Sequence, residues 1–150
     1  VEEPLTQAER DVVYAVRAMG HQKQPEHKET LKALLERNRP PEVRGAAAAS
    51  LGRYEDTSPQ TLLQLLRTER DAPVRAGAAK GLALLEKKES VPELYRALTD
   101  PDPHVRAWAI RGISRVMGHR IAYDAAKPPE TQAKVLAELG EYLRRQKLLP

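Results

Sequence analysis

Val43-Arg44 recurs as Val74-Arg75 and again as Val105-Arg106, 31 residues apart each time, and each pair is followed by small residues and then by Leu51, Leu82 or Ile113 at one offset. Upstream of each pair lies a second apolar set at helical spacing: Leu31, Leu34 and Leu35; Leu62, Leu65 and Leu66; Leu94, Ala97 and Leu98, with one residue of slippage in the connecting turn. A unit of this length made of two amphipathic helices cannot bury its apolar face alone, and stacked neighbours can. The register therefore predicts an all-α fold, an α-α superhelix of about three helix pairs.

Helix punctuation agrees with this periodicity. Ser58-Pro59 and Asp102-Pro103 place a capping side chain before a proline suited to the first helical turn, while Thr6…Glu9 and Ser90…Glu93 read as capping boxes. Helices are predicted near 5–19, 27–38, 41–53, 58–68, 72–86, 91–99, 103–117 and 129–146. As a single domain over 1–150, the chain divides into an N-terminal half-repeat (5–20), repeats at 27–53, 58–86 and 91–117, a loop at 118–128 and a C-terminal capping helix (129–147).

The second helices carry little side chain: four alanines run from Ala46 to Ala49. Helices that stack closely on both sides need small residues where backbones approach, and positions three and four after each valine meet that need as Ala46 and Ala47, then Gly77 and Ala78. Trp108 breaks the pattern in the third unit. No fourth regular repeat follows, so Trp108 is expected to be mostly buried against the final helix, near Leu136 or Leu139. In that helix Val135, Leu136, Leu139, Tyr142 and Leu143 form one apolar stripe.

Asp-Pro-Asp-Pro-His-Val-Arg at 100–106, Arg-Asp-Ala-Pro-Val-Arg at 70–75 and Pro-Pro-Glu-Val-Arg at 40–44 carry a family resemblance. Residues 27–118 resemble HEAT repeats, in particular the short bacterial kind called PBS-lyase HEAT-like. The resemblance implies a structural role for Arg44, Arg75 and Arg106, each pairing with acids such as Asp71, Asp100 or Asp102 at neighbouring turns. It also implies that the second helices line a concave face.

Composition narrows the chemistry. The chain has no cysteine, which removes disulfides, thiolate metal sites and a cysteine nucleophile. No apolar run approaches the ~20 residues of a membrane span. Its four histidines have no partner at metal-ligand spacing, so no metal or cofactor is expected. Ser114, His119 and Asp124 lack a nucleophile elbow, and isolated glycines offer no phosphate-cradling loop. Arg144, Arg145 and Lys147 suit the C-terminal end of a helix dipole. No catalytic set is identified, and the compartment is left open.

Positions two, six and ten after each valine are expected on the concave face: Gly45, Ala49, Arg53; Ala76, Lys80, Leu84; Ala107, Arg111, Arg115; with Val13, Arg17 and His21 from the first helix. There is no acid among these twelve. Arg17, Arg53, Lys80, Arg111 and Arg115 are the candidate binding residues, for a non-catalytic scaffold that holds another protein of acidic character. The alternative is nucleic acid, as the resemblance to HEAT-like DNA glycosylases implies, with Trp108, Arg111 and Arg115 as its contacts. A third reading, by analogy with bilin lyases, is an enzyme subunit. A net charge of +4 is far from that of a dedicated nucleic-acid binder.

Overall fold

Proline opens helix after helix in this chain, because its fixed φ suits the first turn and its missing N–H is not needed there. The computed structural model describes residues 3–150. Among these it contains eight α-helices and no strand: α1 (Gln7–Gln22), α2 (Pro25–Ala33), α3 (Pro41–Leu51), α4 (Gln60–Thr68), α5 (Ala72–Leu85), α6 (Val91–Arg96), α7 (Pro103–Met117) and α8 (Ala133–Arg145). Short 3-10 turns at Lys88–Ser90, Ala97–Thr99 and Pro129–Gln132 complete the order.

Helices α1, α3, α5 and α7 pack successively against one another, and α2, α4 and α6 lie against α3, α5 and α7 respectively. This is the stacked-pair architecture that the 31-residue register predicts, with α1 packed on α3 as α3 is on α5. The register residues form its core: Val74 and Val105 are fully buried and Val43 is nearly so, as are Leu51, Leu82 and Ile113. Leu31, Leu62 and Leu94 lock the first helices onto them. Each such aliphatic side chain contributes about 1.5–3 kcal/mol by leaving water.

Backbone contact explains the missing side chains, at positions shifted by one from expectation. A Cβ on Gly77 would stand 2.1 Å from the Gly45 carbonyl oxygen, and one on Gly45 would stand 2.3 Å from the Pro73 carbonyl oxygen. Positions two and three, rather than three and four, are the points of closest approach. Gly45, expected to point outward, is buried under α5.

Two of the four expected caps form. Thr6 Oγ1 accepts from the Glu9 N–H while Glu9 accepts from the Thr6 N–H at 2.8 Å, and Asp102 accepts from the N–H groups of His104 (2.8 Å) and Val105 (3.2 Å). Ser58 makes no cap; α4 starts at Gln60 with Pro59 before it. The box at Ser90 also fails. An N-cap needs extended backbone, whereas Ser90 lies in the αR region inside a preceding 3-10 turn, with its Oγ buried and unpartnered. Glu93 turns instead to Arg67 (2.7 Å) and Arg96 (2.9 Å).

The repeated arginines sit where successive units join. Arg44, only 4 % exposed, grips the Glu69 carboxylate with both terminal nitrogens and donates from Nε to the Leu35 carbonyl at 3.0 Å; Asp71 is a distant second at 4.0 Å. Arg75 clasps Asp100 with bonds of 2.8 and 3.1 Å, which holds its guanidinium above the ordinary arginine pKa. Among the described residues Arg106 has no carboxylate partner. It donates to the carbonyls of Asp100 (2.8 Å), Pro101 (3.0 Å) and Ala125 (3.1 Å), because the next unit offers a loop where earlier units offer an acid.

That loop and α8 pack against the third helix pair. Tyr123 donates to the Leu98 carbonyl at 2.5 Å, Tyr95 to the Leu136 carbonyl at 2.7 Å, and Gln132 exchanges two 2.8 Å bonds with the Asp124 backbone. Leu139 and Leu143 enter the main core.

Candidate binding groove

The exposed edges of α1, α3, α5 and α7 line a groove in two connected compartments. The first, a trough of about 320 Å³, is floored by Gly45, Ala46, Ala49, Ala76 and Gly77. Their small side chains, demanded by close stacking, leave its floor low. The second, of about 840 Å³, lies beside α7 and the segment after it, where Gly118 ends the helix with a left-handed φ of 77° that glycine adopts without strain.

All five candidate residues reach this groove. Arg17 lines the trough, Arg111 and Arg115 the larger compartment, and Arg53 and Lys80 both. The structure adds Arg120 and His119 from the segment after Gly118, which the helical projection missed because they lie outside any helix. A basic His-Arg pair directly after a helix-ending glycine was the signal available. Among the described residues the lining carries six lysine or arginine side chains and one carboxylate, Glu42. The whole chain carries only +4, so its excess charge is concentrated here.

Among the described residues, no carboxylate pairs with Arg17, Arg53, Lys80, Arg111 or Arg120, whereas Arg115 meets Glu86 at 2.5 Å. The mutual repulsion is felt at Lys80. Burial first, then the charges of Arg53 and Arg17, push its ammonium below the ordinary lysine value.

Trp108 is not where the sequence places it. Its ring stands in the groove, half-buried, with Lys80 Nζ 5.1 Å and Arg111 Cζ 5.0 Å from the centroid. The reason lies in the register. Position three faces the preceding unit, as the Gly77–Gly45 contact shows, so Trp108 points back over α5 instead of forward to α8. Leu139 is buried in the main core, on whose edge Trp108 packs only partly buried, and the Leu136 carbonyl accepts from Tyr95.

Ser114, His119 and Asp124 are not assembled for nucleophilic catalysis. His119 turns its ring edge to Tyr142, with centroids 6.0 Å apart, and Asp124 accepts from the Ala126 N–H at 3.0 Å. Among the described residues no group of three or more acidic or histidine side chains could hold a metal ion, and no helix is long and apolar enough to cross a membrane. What the groove can do chemically is attract and retain negative charge beside an aromatic wall.

Comparison with curated proteins and with solved structures finds no match. A family model described as HEAT repeats matches residues 12–76 and again 59–139, a span that takes in the stack from α1 through most of α8. The two overlapping matches follow the helix pairs whose valines, arginines and glycines set the stacking, and the chain belongs to the HEAT-repeat family.

Proposed function

We propose that this chain is a non-catalytic binding module that holds an acidic segment of another protein in its groove. HEAT repeats commonly serve as interaction scaffolds. The observation that carries the reading is the gathering of Arg17, Arg53, Lys80, Arg111 and Arg120 without carboxylate partners among the described residues. Clustered like charges oppose folding, so a partner accounts for them better than stability does. The finer placement with the short PBS-lyase-like bacterial repeats is supported by the 31-residue unit and by Asp-Pro-Asp-Pro-His-Val-Arg.

Nucleic acid is the second reading, favoured by the one tryptophan standing in a basic groove. A glutamate-rich peptide and a single-stranded oligonucleotide, each titrated at several salt concentrations, separate the two. The acidic-protein reading requires salt-sensitive binding of the peptide, reduced at least about tenfold by joint Lys80→Glu and Arg111→Glu reversal with the helical circular dichroism unchanged. Peptide affinity unmoved by the double reversal sends the search away from this groove.

A further inference from the structure

Resting on the reading of the groove as a site for an acidic segment, we infer that its larger compartment takes an apolar side chain of that segment. The ligand is a peptide with a leucine-sized residue set among carboxylates. A solvated cationic face needs only polar neighbours around its charges, and this compartment has more. Leu84, Ile110 and Ile121 are half-buried in its lining, with Arg111, Arg115 and Arg120 around them. Ile110 and Ile121 pack on the core beneath while keeping a water-facing side.

A ligand of carboxylates alone leaves that apolar surface wet, and a purely apolar ligand desolvates cations without pairing them. A mixed segment does neither. The trough beyond Trp108 suits the rest of such a segment. Its floor of glycine and alanine lets an extended backbone lie close, and Arg17, Arg53 and Lys80 reach its acidic side chains. A nucleobase fits the larger compartment less well, because the ring it would stack on already engages Lys80 and Arg111.

Trp108 is the single tryptophan, so its emission reports on the groove directly. The probes are a peptide with one leucine between two short glutamate runs, its alanine counterpart, and oligothymidylate. The expected result is that both peptides shift Trp108 emission in a salt-sensitive way and the leucine peptide binds about tenfold tighter, the gain from partly burying its additional carbons. Ile110→Ser with Ile121→Ser should erase that ratio while leaving the alanine peptide's affinity; should this variant not fold, the peptide ratio on the unaltered protein decides. Equal affinities for the two peptides overturn the apolar anchor and leave the acidic groove standing. Binding of neither peptide overturns both, as does oligothymidylate perturbing Trp108 while the peptides do not.

Discussion

Gly77 lies so close to Gly45 that a Cβ on it would stand 2.1 Å from the Gly45 carbonyl oxygen and 2.6 Å from its Cα. Both obstacles are backbone in a neighbouring helix, so neither can rotate away. Gly77→Ala gains up to about 1 kcal/mol of helix propensity and forces α3 and α5 apart. The expected net loss is about 2–3 kcal/mol, read from urea unfolding. Gly118→Ala is the control. Nothing lies within 4 Å of its added carbon, and only the φ of 77° opposes it, so about 1–2 kcal/mol is expected. A Gly77→Ala midpoint equal to that of the unaltered protein would falsify the close α3–α5 contact.

Arg44 and Glu69 form an ion pair whose side chains are 4 % and 10 % exposed. Removing one partner strands a buried charge, and removing both does not. Arg44→Met should therefore cost about 3–5 kcal/mol, whereas Arg44→Met with Glu69→Met should recover most of the loss. The double-mutant cycle measures this coupling. Additive losses would mean that the Nε bond to the Leu35 carbonyl, rather than the pair, holds this junction.

Glu93 supplies an acid limb to the stability curve. Burial raises its pKa, but the hydrogen bonds from Arg96 and Arg67 outweigh burial and the carboxyl ends below its ordinary 4.5. A depressed folded pKa means that the unfolded chain binds more protons as pH falls. The stabilisation is thus present above 4.5 and is lost as pH drops through the folded value. Glu93→Gln should remove up to about 1 kcal/mol at neutral pH and flatten the acid limb. Urea midpoints collected from neutral to acid pH check both, and parallel acid limbs for the two proteins would assign the loss to other carboxylates.

The stack is legible from sequence because its determinants are periodic. Val43, Val74 and Val105 repeat in register, and burial needs only that they be apolar. Groove charge is legible for the same reason, since Lys80, Arg111 and Arg115 are projected from regular helices and Arg53 lies only one residue past the Gly52 cap of α3. The departures arise where one contact overrides the pattern. Which small residue touches a neighbouring backbone depends on the relative rotation of α3 and α5, to which a period is blind, and this misplaced Gly45 and the direction of Trp108. Ser90 has a capping residue's identity and lacks the extended backbone. Arg106 follows the repeat in sequence but meets the Ala125 carbonyl, because the chain after α7 is a loop. Arg120 belongs to no helix and so escaped projection.

Lys80 links groove occupancy to protons. Burial and the nearby Arg53 and Arg17 disfavour its charged form, leaving its pKa below 10.5. Between that depressed value and 10.5 the folded protein binds fewer protons than the unfolded chain, so stability rises with pH across this window. Below the window Lys80 is charged in both states and adds no slope. An acidic ligand reverses the local balance, because carboxylates beside Lys80 favour its ammonium form and raise its pKa again. Binding within the alkaline window should therefore take up protons, and binding at neutral pH should take up none at this site. Calorimetry in two buffers of different ionisation enthalpy, with a glutamate-rich peptide as titrant, measures the uptake. Lys80→Met should abolish it while retaining part of the affinity through Arg17, Arg53 and Arg111. Peptide binding in the alkaline window with no proton uptake would show that the ligand's carboxylates do not reach Lys80, and would put the contact surface outside the trough between α1 and α5.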